Sequence, residues 1–115
     1  MLKKDLQDIC SKSLSENKAT DVLVLDIKSI SSFADFIVLA TASSNRHAKS
    51  LSEKLIESLK ENNKNILSVE GKVDSGWVLV DCGGVVVNIM KSDVRDFYDL
   101  EGLWGENTLL NNSNQ

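Results

Sequence analysis

Apolar residues recur along the chain with two spacings, one typical of helices and the other typical of strands. A spacing of three to four residues predicts a helix over residues 2–16 and a second helix that begins after Ser43 or Ser44. Either serine could cap that helix, because a hydroxyl oxygen accepts a hydrogen bond from a first-turn N–H group. Residues 92–104 are expected to form a last helix or helical turn, with Ser92 as its candidate cap.

Alternating or unbroken apolar runs predict the strands. One run alternates, a second is almost wholly apolar, as in a strand buried on both faces, and shorter runs complete the set. In chain order they are 21–27, 36–42, 66–71 and the two strands of 76–90. The helix between the second and third strands indicates a parallel crossover. The pattern therefore predicts an α+β fold, with a mixed sheet of about five strands flanked by helices.

The 115 residues are enough for one hydrophobic core. We expect a single domain over 1–106 and a polar, frayed tail over 107–115. No apolar run approaches the roughly 20 residues of a membrane-spanning helix, and the opening MLKKDLQDIC lacks the apolar centre of a secretory signal. These features predict a soluble, cytoplasmic protein with no membrane partner.

Neither cysteine belongs to a metal-binding motif. Cys10 and Cys82 have no CxxC partner and no neighbouring histidine, and the chain contains one histidine in all. In a chain without an export signal we expect both thiols to be reduced. The sequence therefore predicts no metal and no cofactor.

The glycines after the fourth strand raise the question of a phosphate loop. Such a loop leads into a helix N-terminus, but Gly83 and Gly84 are followed by a strand, so a tight hairpin turn is the better interpretation. Asp26, Asp35 and Asp81 could converge as a two-metal carboxylate cluster. No Gly-Ser entrance with a closely spaced aspartate pair accompanies them, which favours solvated turn carboxylates.

The polar run Ser43–His47 lies where a strand meets a helix, a common ligand position in α/β sheets. Ser-His catalysis requires a third group that orients the histidine, and no acidic residue stands near His47 in the sequence. A capped, solvated first turn is therefore favoured over a catalytic site.

Charge is distributed unevenly along the chain, whose net charge is −4. Residues 1–65 carry 10 basic and 9 acidic side chains, whereas residues 66–115 carry 3 basic and 8 acidic ones. An acidic C-terminal half repels nucleic acid phosphates and attracts a basic partner. The same charge would also serve solubility alone, so composition leaves both interpretations open.

The aromatic residue that stands out is Trp77, which follows a glycine turn at the start of a strand. Strand alternation places it with Leu79 and Asp81, and places Val78 and Val80 on the opposite, core-facing side. An aromatic anchor beside a carboxylate resembles a protein-docking patch. Burial of that face under the last helix is the alternative.

Several segments in uninterrupted order resemble the ribosomal silencing factor family, RsfS, also called Iojap-related proteins. They include DVLVLDIKSISSFADFIVLATASSNRHAKSLSEKL, VEGKVDSGWVLVDCGGVVVNIM and RDFYDLEGLWG, and the resemblance covers about residues 1–106. It implies a fold similar to a nucleotidyltransferase core without the catalytic carboxylates, and therefore a protein that is not an enzyme. Relatives often carry His and Phe where this chain has Asn88 and Met90.

The resemblance also implies a function and a partner. Family members bind the basic ribosomal protein L-fourteen on the large subunit, block association with the small subunit and so repress translation. A homodimer is implied as well, and sequence-specific nucleic acid binding is not. The predicted partner-binding residues are Trp77, Leu79, Asp81, Tyr98, Asp99 and Glu101. A large-subunit assembly factor and a nucleotidyltransferase-like enzyme or nucleotide binder stay open as alternatives.

Overall fold

A six-stranded mixed sheet carries the helices in the computed structural model, which describes residues 6–71, 75–99 and 109–111. The helices are Leu6–Glu16 (α1), Asn45–Glu61 (α2) and Ser92–Tyr98 (α3). The strands are Thr20–Asp26 (β1), Phe36–Ala42 (β2), Ser68–Glu70 (β3), Trp77–Asp81 (β4), Val85–Lys91 (β5) and Leu109–Asn111 (β6). The predicted mixed sheet flanked by helices is confirmed. No helix in the described ranges has both the length and the apolar composition to cross a membrane.

The strands lie in the order β3-β4-β5-β2-β1-β6. β2 and β5 are parallel, and every other neighbouring pair is antiparallel. Because β4 is antiparallel to both of its neighbours, β3 runs parallel to β5 and hence to β2. The predicted crossover through α2 therefore joins parallel strands, but these strands are not neighbours, since β5 and β4 lie between them.

Each face of the sheet has its own hydrophobic cluster. On one face α1 and α2 pack against alternate residues of the central strands, among them Val38, Val80 and Val87. On the other face a smaller cluster includes Leu39 and Met90. All seven residues of β2 are buried because both of its faces are covered. This explains why the sequence of β2 is almost wholly apolar instead of alternating.

Helix capping follows the sequence at α2 and departs from it at α3. Ser44 is the N-cap of α2, and its Oγ accepts a hydrogen bond of 3.0 Å from the backbone N–H of His47. The N-cap of α3 is Lys91, with no side-chain capping bond, so the prediction that Ser92 caps this helix was wrong. The helix ends at Tyr98 because Asp99 takes the left-handed conformation, with φ of 46°. Residues 100–104, which we had included in it, lie outside the described residues.

The C-terminal segment contains a strand that the sequence pattern did not predict. Leu109–Asn111 forms β6, which pairs antiparallel with β1 through Leu25 and Val24. An exposed strand edge offers unpaired backbone groups to any extended segment, which accounts for its pairing there. The expectation of a frayed tail over 107–115 thus differs from the structure at these three residues.

A buried arginine connects α3 to the sheet. Arg95 is 7% exposed, and its Nη1 donates to the backbone oxygen of Asp21 at 2.6 Å and to Oγ1 of Thr41 at 2.9 Å. A buried guanidinium is costly unless it is hydrogen-bonded, so these contacts hold α3 against the ends of β1 and β2.

The two cysteines meet between α1 and the end of β4. Both are free, buried members of the helix-side cluster. The hydrogen bond from Cys10 to Cys82, together with burial, raises the pKa of the Cys10 thiol. The same bond lowers the pKa of Cys82, against the opposing effects of burial and of the Asp81 carboxylate.

We expect both thiols to resist Ellman's reagent in the folded protein, because only the exposed thiolate reacts. If labelling requires an opening that costs about 3 kcal/mol, its rate falls by roughly 100-fold relative to the unfolded chain. Cys82 should be labelled before Cys10. The Cys10→Ser and Cys82→Ser variants each leave one thiol, so the labelling rate of each cysteine can be measured separately. Rapid labelling of Cys10 in the native protein would contradict its burial and its hydrogen bond to Cys82.

Candidate docking face

Strand β4 separates its side chains onto the two faces of the sheet. Val78 and Val80 pack into the helix-side cluster, as the alternation predicted. Trp77, Leu79 and Asp81 lie on the opposite face and are all partly exposed. The sheet therefore brings three of the predicted partner-binding residues onto one accessible surface.

Trp77 is held in place by a polar neighbour. Its Nε1 donates to Oδ1 of Asn88 at 2.8 Å, and Asn88 is only 4% exposed. The indole also packs against the second cluster, beside Met90 and near Val94 of α3. Trp77 is thus partly buried against the second cluster and partly exposed, and its role in docking stays a prediction.

The sequence marked Asn88 as a departure from the relatives but did not predict that it supports Trp77. The signal was present, because Asn88 is the polar residue within the otherwise apolar run VVVNIM. A buried amide requires a hydrogen-bond partner, and a tryptophan N–H on a neighbouring strand is a suitable donor. What the sequence did not show is the register that places Leu79 opposite Asn88 and Trp77 two residues along the same face.

The turn after β4 is the predicted hairpin. The backbone N–H of Cys82 donates to the oxygen of Val85 at 2.9 Å, and Gly83 has a φ of 87°, which favours glycine. Oδ1 of Asp81 accepts from the N–H of Gly83 at 2.9 Å. Asp81 therefore stabilises the turn while its carboxylate lies at the end of the exposed face.

Strand β3 adds a second carboxylate that was not predicted. Glu70 pairs with Leu79, and Ser68 pairs with Asp81, so these β3 side chains share the face. Glu70 is exposed, and neither β3 nor β4 contains a lysine or an arginine. We call the surface formed by Glu70, Trp77, Leu79 and Asp81 the docking face.

The remaining predicted partner-binding residues lie at or beyond the end of α3. Asp99 is exposed directly after the helix. Tyr98 is the last residue of α3, but its side chain, like the whole of Glu101, lies outside the part that the structure describes. The helix packs near the docking face through Val94, which contacts the same cluster as Trp77.

The carboxylates considered for a metal site have other roles. Asp26 accepts from the backbone of Lys28 at 3.0 Å and forms an ion pair of 3.6 Å with its Nζ. Asp35 is exposed in the loop before β2. Within the described ranges, no three His, Cys, Asp or Glu side chains are grouped closely enough to hold a metal ion.

His47 connects the first turn of α2 to the turn that follows α1. Its Nε2 lies 3.0 Å from the backbone oxygen of Asn17, so Nε2 carries the proton and donates it to that oxygen. Nδ1 is then the acceptor for the backbone N–H of Ser43 at 2.9 Å and for its hydroxyl at 3.1 Å. Within the described part of the chain, the ring bonds to groups of Asn17 and Ser43, and neither residue carries a carboxylate.

Fold and site together define a class of protein: a mixed α/β domain with an acidic, tryptophan-bearing face on the sheet. The sequence model of the family described as "Ribosomal silencing factor during starvation" matches residues 2–115. The chain therefore belongs to the ribosomal silencing factor family, which confirms the resemblance noted from its motifs.

Individual relatives agree with this assignment. Ribosomal silencing factor RsfS of Chromobacterium violaceum is 37% identical over 102 residues, which cover 89% of this chain and 84% of that protein. A crystal structure of a C. violaceum protein superposes with a TM-score of 0.82 at 39% identity, covering 89% of this chain and 88% of that one. A mouse protein named "Mitochondrial assembly of ribosomal large subunit protein 1" is 28% identical over 84% of this chain and 44% of its own length.

Proposed function

We propose that this protein binds the large ribosomal subunit in the cytoplasm through ribosomal protein L-fourteen, blocks association with the small subunit and so represses translation. Membership in the ribosomal silencing factor family supports the regulatory role. The observation that supports the binding mode is the docking face, where a fixed, partly exposed Trp77 stands beside two carboxylates.

The geometry of Trp77 suits an anchor. Because its Nε1 is already bonded to Asn88, the indole pays little conformational entropy on binding and leaves no unpaired donor at the interface. Leu79 lies next to it on the same face and extends the apolar surface. Interface energy concentrates in such aromatic residues at the centre of a contact.

The charge of the face suits a basic partner. Glu70 and Asp81 lie on two strands without any cation, in the half of the chain that carries 8 acidic and 3 basic residues. Opposite charges raise association rates and exclude partners of the same sign, including exposed nucleic acid phosphates. This supports a basic protein surface, and not RNA, as the direct contact.

The name of the mouse relative supports a second candidate, a factor for assembly of the large subunit. Such a factor would use the same docking face, so mutations in the face would not separate the two functions. Accumulation of precursor particles in a deletion strain would indicate assembly. Normal subunits that join more readily than in the wild type would indicate silencing.

The direct test adds purified protein to separated subunits and resolves the mixture on a sucrose gradient. We expect the protein to sediment with the large subunit and the peak of joined ribosomes to fall as its concentration rises. Protein that stays at the top of the gradient, or that sediments with the small subunit, would contradict the proposal. The homodimer belongs to the same proposal, and sedimentation of the free protein over a concentration series measures it.

A further inference from the structure

A polar cleft of about 410 Å³ opens at the end of the sheet where β2 and β5 finish. Its lining includes Lys18, Thr20, Thr41, Ser43, Lys91 and Ser92. Open α/β sheets bind ligands at the carboxyl ends of their parallel strands, and β2 and β5 are the adjacent parallel strands among those described. The cleft has no residue in common with the docking face.

The cleft is cationic in a protein whose net charge is −4. Lys18 and Lys91 both line it, and neither forms an ion pair within the described residues. Among the described residues the lining contains one carboxylate, that of Asp93, whose Oδ1 accepts a hydrogen bond from the N–H of Val94. Two ammonium groups and one carboxylate leave these side chains with a net charge of +1, which favours an anionic ligand.

The wall of the cleft contains a hydroxyl group, that of Thr41, which is held in place by a hydrogen bond from Arg95. Thr41 is 8% exposed, and its Oγ1 accepts a hydrogen bond of 2.9 Å from the buried guanidinium of Arg95. Because the oxygen serves as acceptor for Arg95, the hydroxyl hydrogen is left to donate to a ligand in the cleft. The positive charge of Arg95 behind Thr41 strengthens that donor.

We propose that this cleft binds a small phosphate-bearing molecule. Lys18 and Lys91 contact its phosphate oxygens, and the hydroxyl of Thr41 donates a further hydrogen bond to them. The volume lies within the range of small-molecule sites, roughly 300–1,000 Å³. Among the residues that the structure describes, no aromatic side chain lines the cleft, so this part of its wall lacks the stacking surface with which proteins bind single-stranded RNA.

The test titrates the full-length protein with inorganic pyrophosphate, ADP and ribose 5-phosphate while recording amide chemical shifts. We expect saturable shifts at Thr20, Thr41 and Ser92. Equal affinity for pyrophosphate and ADP would indicate that the protein recognises the phosphates alone. Tighter binding of ADP would indicate that it also contacts the nucleoside. Either result supports the site.

The matched variants exchange lysine for glutamine inside and outside the cleft. Lys18→Gln with Lys91→Gln should weaken binding by about tenfold or more, whereas Lys49→Gln with Lys60→Gln on the exposed side of α2 should leave it unchanged. If the cleft double variant does not fold, the Lys18→Gln single variant replaces it in the titration. Lys18 is exposed, so this substitution should not disturb the core.

Three results would overturn the proposal. The first is the absence of saturable shifts at millimolar ligand, and the second is an equal loss of affinity in both double variants. The third is binding of a single-stranded RNA oligonucleotide at the cleft with no binding of the three small molecules.

Discussion

Replacing Trp77 with alanine and Asp81 with lysine together will abolish co-sedimentation of the protein with large ribosomal subunits and leave its circular dichroism spectrum unchanged. The first substitution removes the fixed indole that the docking face presents beside Leu79. Truncation of such an anchor costs about 2–4 kcal/mol of binding free energy, to which the reversed charge adds repulsion from a basic partner. We therefore expect affinity to fall by about 100-fold or more.

The fold should tolerate both changes. Trp77 is only partly buried, and the core-facing residues of β4 are Val78 and Val80, which are unaltered. Loss of the bond from the N–H of Gly83 to Asp81, and of the bond from Nε1 of Trp77 to the buried amide of Asn88, should each cost about 1 kcal/mol. A thermal melt recorded with the circular dichroism spectrum will verify that the double variant is folded under the conditions of the gradient.

A control with the same chemical changes elsewhere is available. Phe33→Ala with Glu53→Lys also removes an exposed aromatic ring and reverses an exposed carboxylate, but in the loop before β2 and on α2. This variant should sediment with large subunits as the wild type does. Retained binding by the folded Trp77→Ala, Asp81→Lys protein would exclude the docking face, and equal loss in the control would show that the effect is not specific to it.

The features predicted correctly from the sequence are those that depend only on consecutive residues within one segment of the chain. The bounds of β2 were predicted at Phe36–Ala42 because an unbroken apolar run has clear ends. The alternation of β4 gave the core side of Val78 and Val80, and Ser44 is a cap because its hydroxyl reaches an N–H three residues away.

The features missed depend on which segments become neighbours in the sheet. Glu70 joins the docking face only because β3 pairs with β4 in the register that sets it opposite Leu79. The support of Trp77 by Asn88 needs the register of β4 with β5. The cleft likewise unites Lys18, which follows α1, with Lys91, which ends β5. The hydrophobic pattern determines which face of a strand is buried. The neighbouring strand and the pairing register depend on tertiary packing, which the pattern does not show.

Replacing Gly71 with alanine will destabilise the protein more than any other glycine substitution near the docking face. Gly71 has a φ of 126°, which residues with a side chain rarely adopt. Its added Cβ would overlap the backbone carbonyl oxygen of Trp77 and approach Cα of Val78 to 3.0 Å. Because both groups belong to the backbone of β4, no rotamer change relieves the contact, and either β4 shifts or β3 separates from it.

The loss of stability in Gly71→Ala cannot exceed the free energy of the easier adjustment, which is the separation of β3 from β4. β3 has three residues, so its separation from β4 forfeits a small hairpin and not the whole sheet. We expect a loss of about 2–3 kcal/mol, from the strained conformation and the lost pairing together. Denaturation in urea and a thermal melt will measure it, and the midpoint temperature should fall by roughly 10 °C. Separation of β3 would also displace Glu70, so binding to the large subunit should weaken in the same variant.

Gly84→Ala is the matched control. Gly84 lies outside the positive-φ positions, and a Cβ there would stand 3.6 Å from Oδ2 of Asp35, an ordinary van der Waals contact. We expect its stability to change by less than about 1 kcal/mol. If Gly71→Ala unfolds at the same urea concentration as Gly84→Ala, then the backbone of β3 does not approach β4 as closely as described. In that event Glu70 would not share a face with Leu79 and Asp81, and Asp81 alone would supply the negative charge of the docking face.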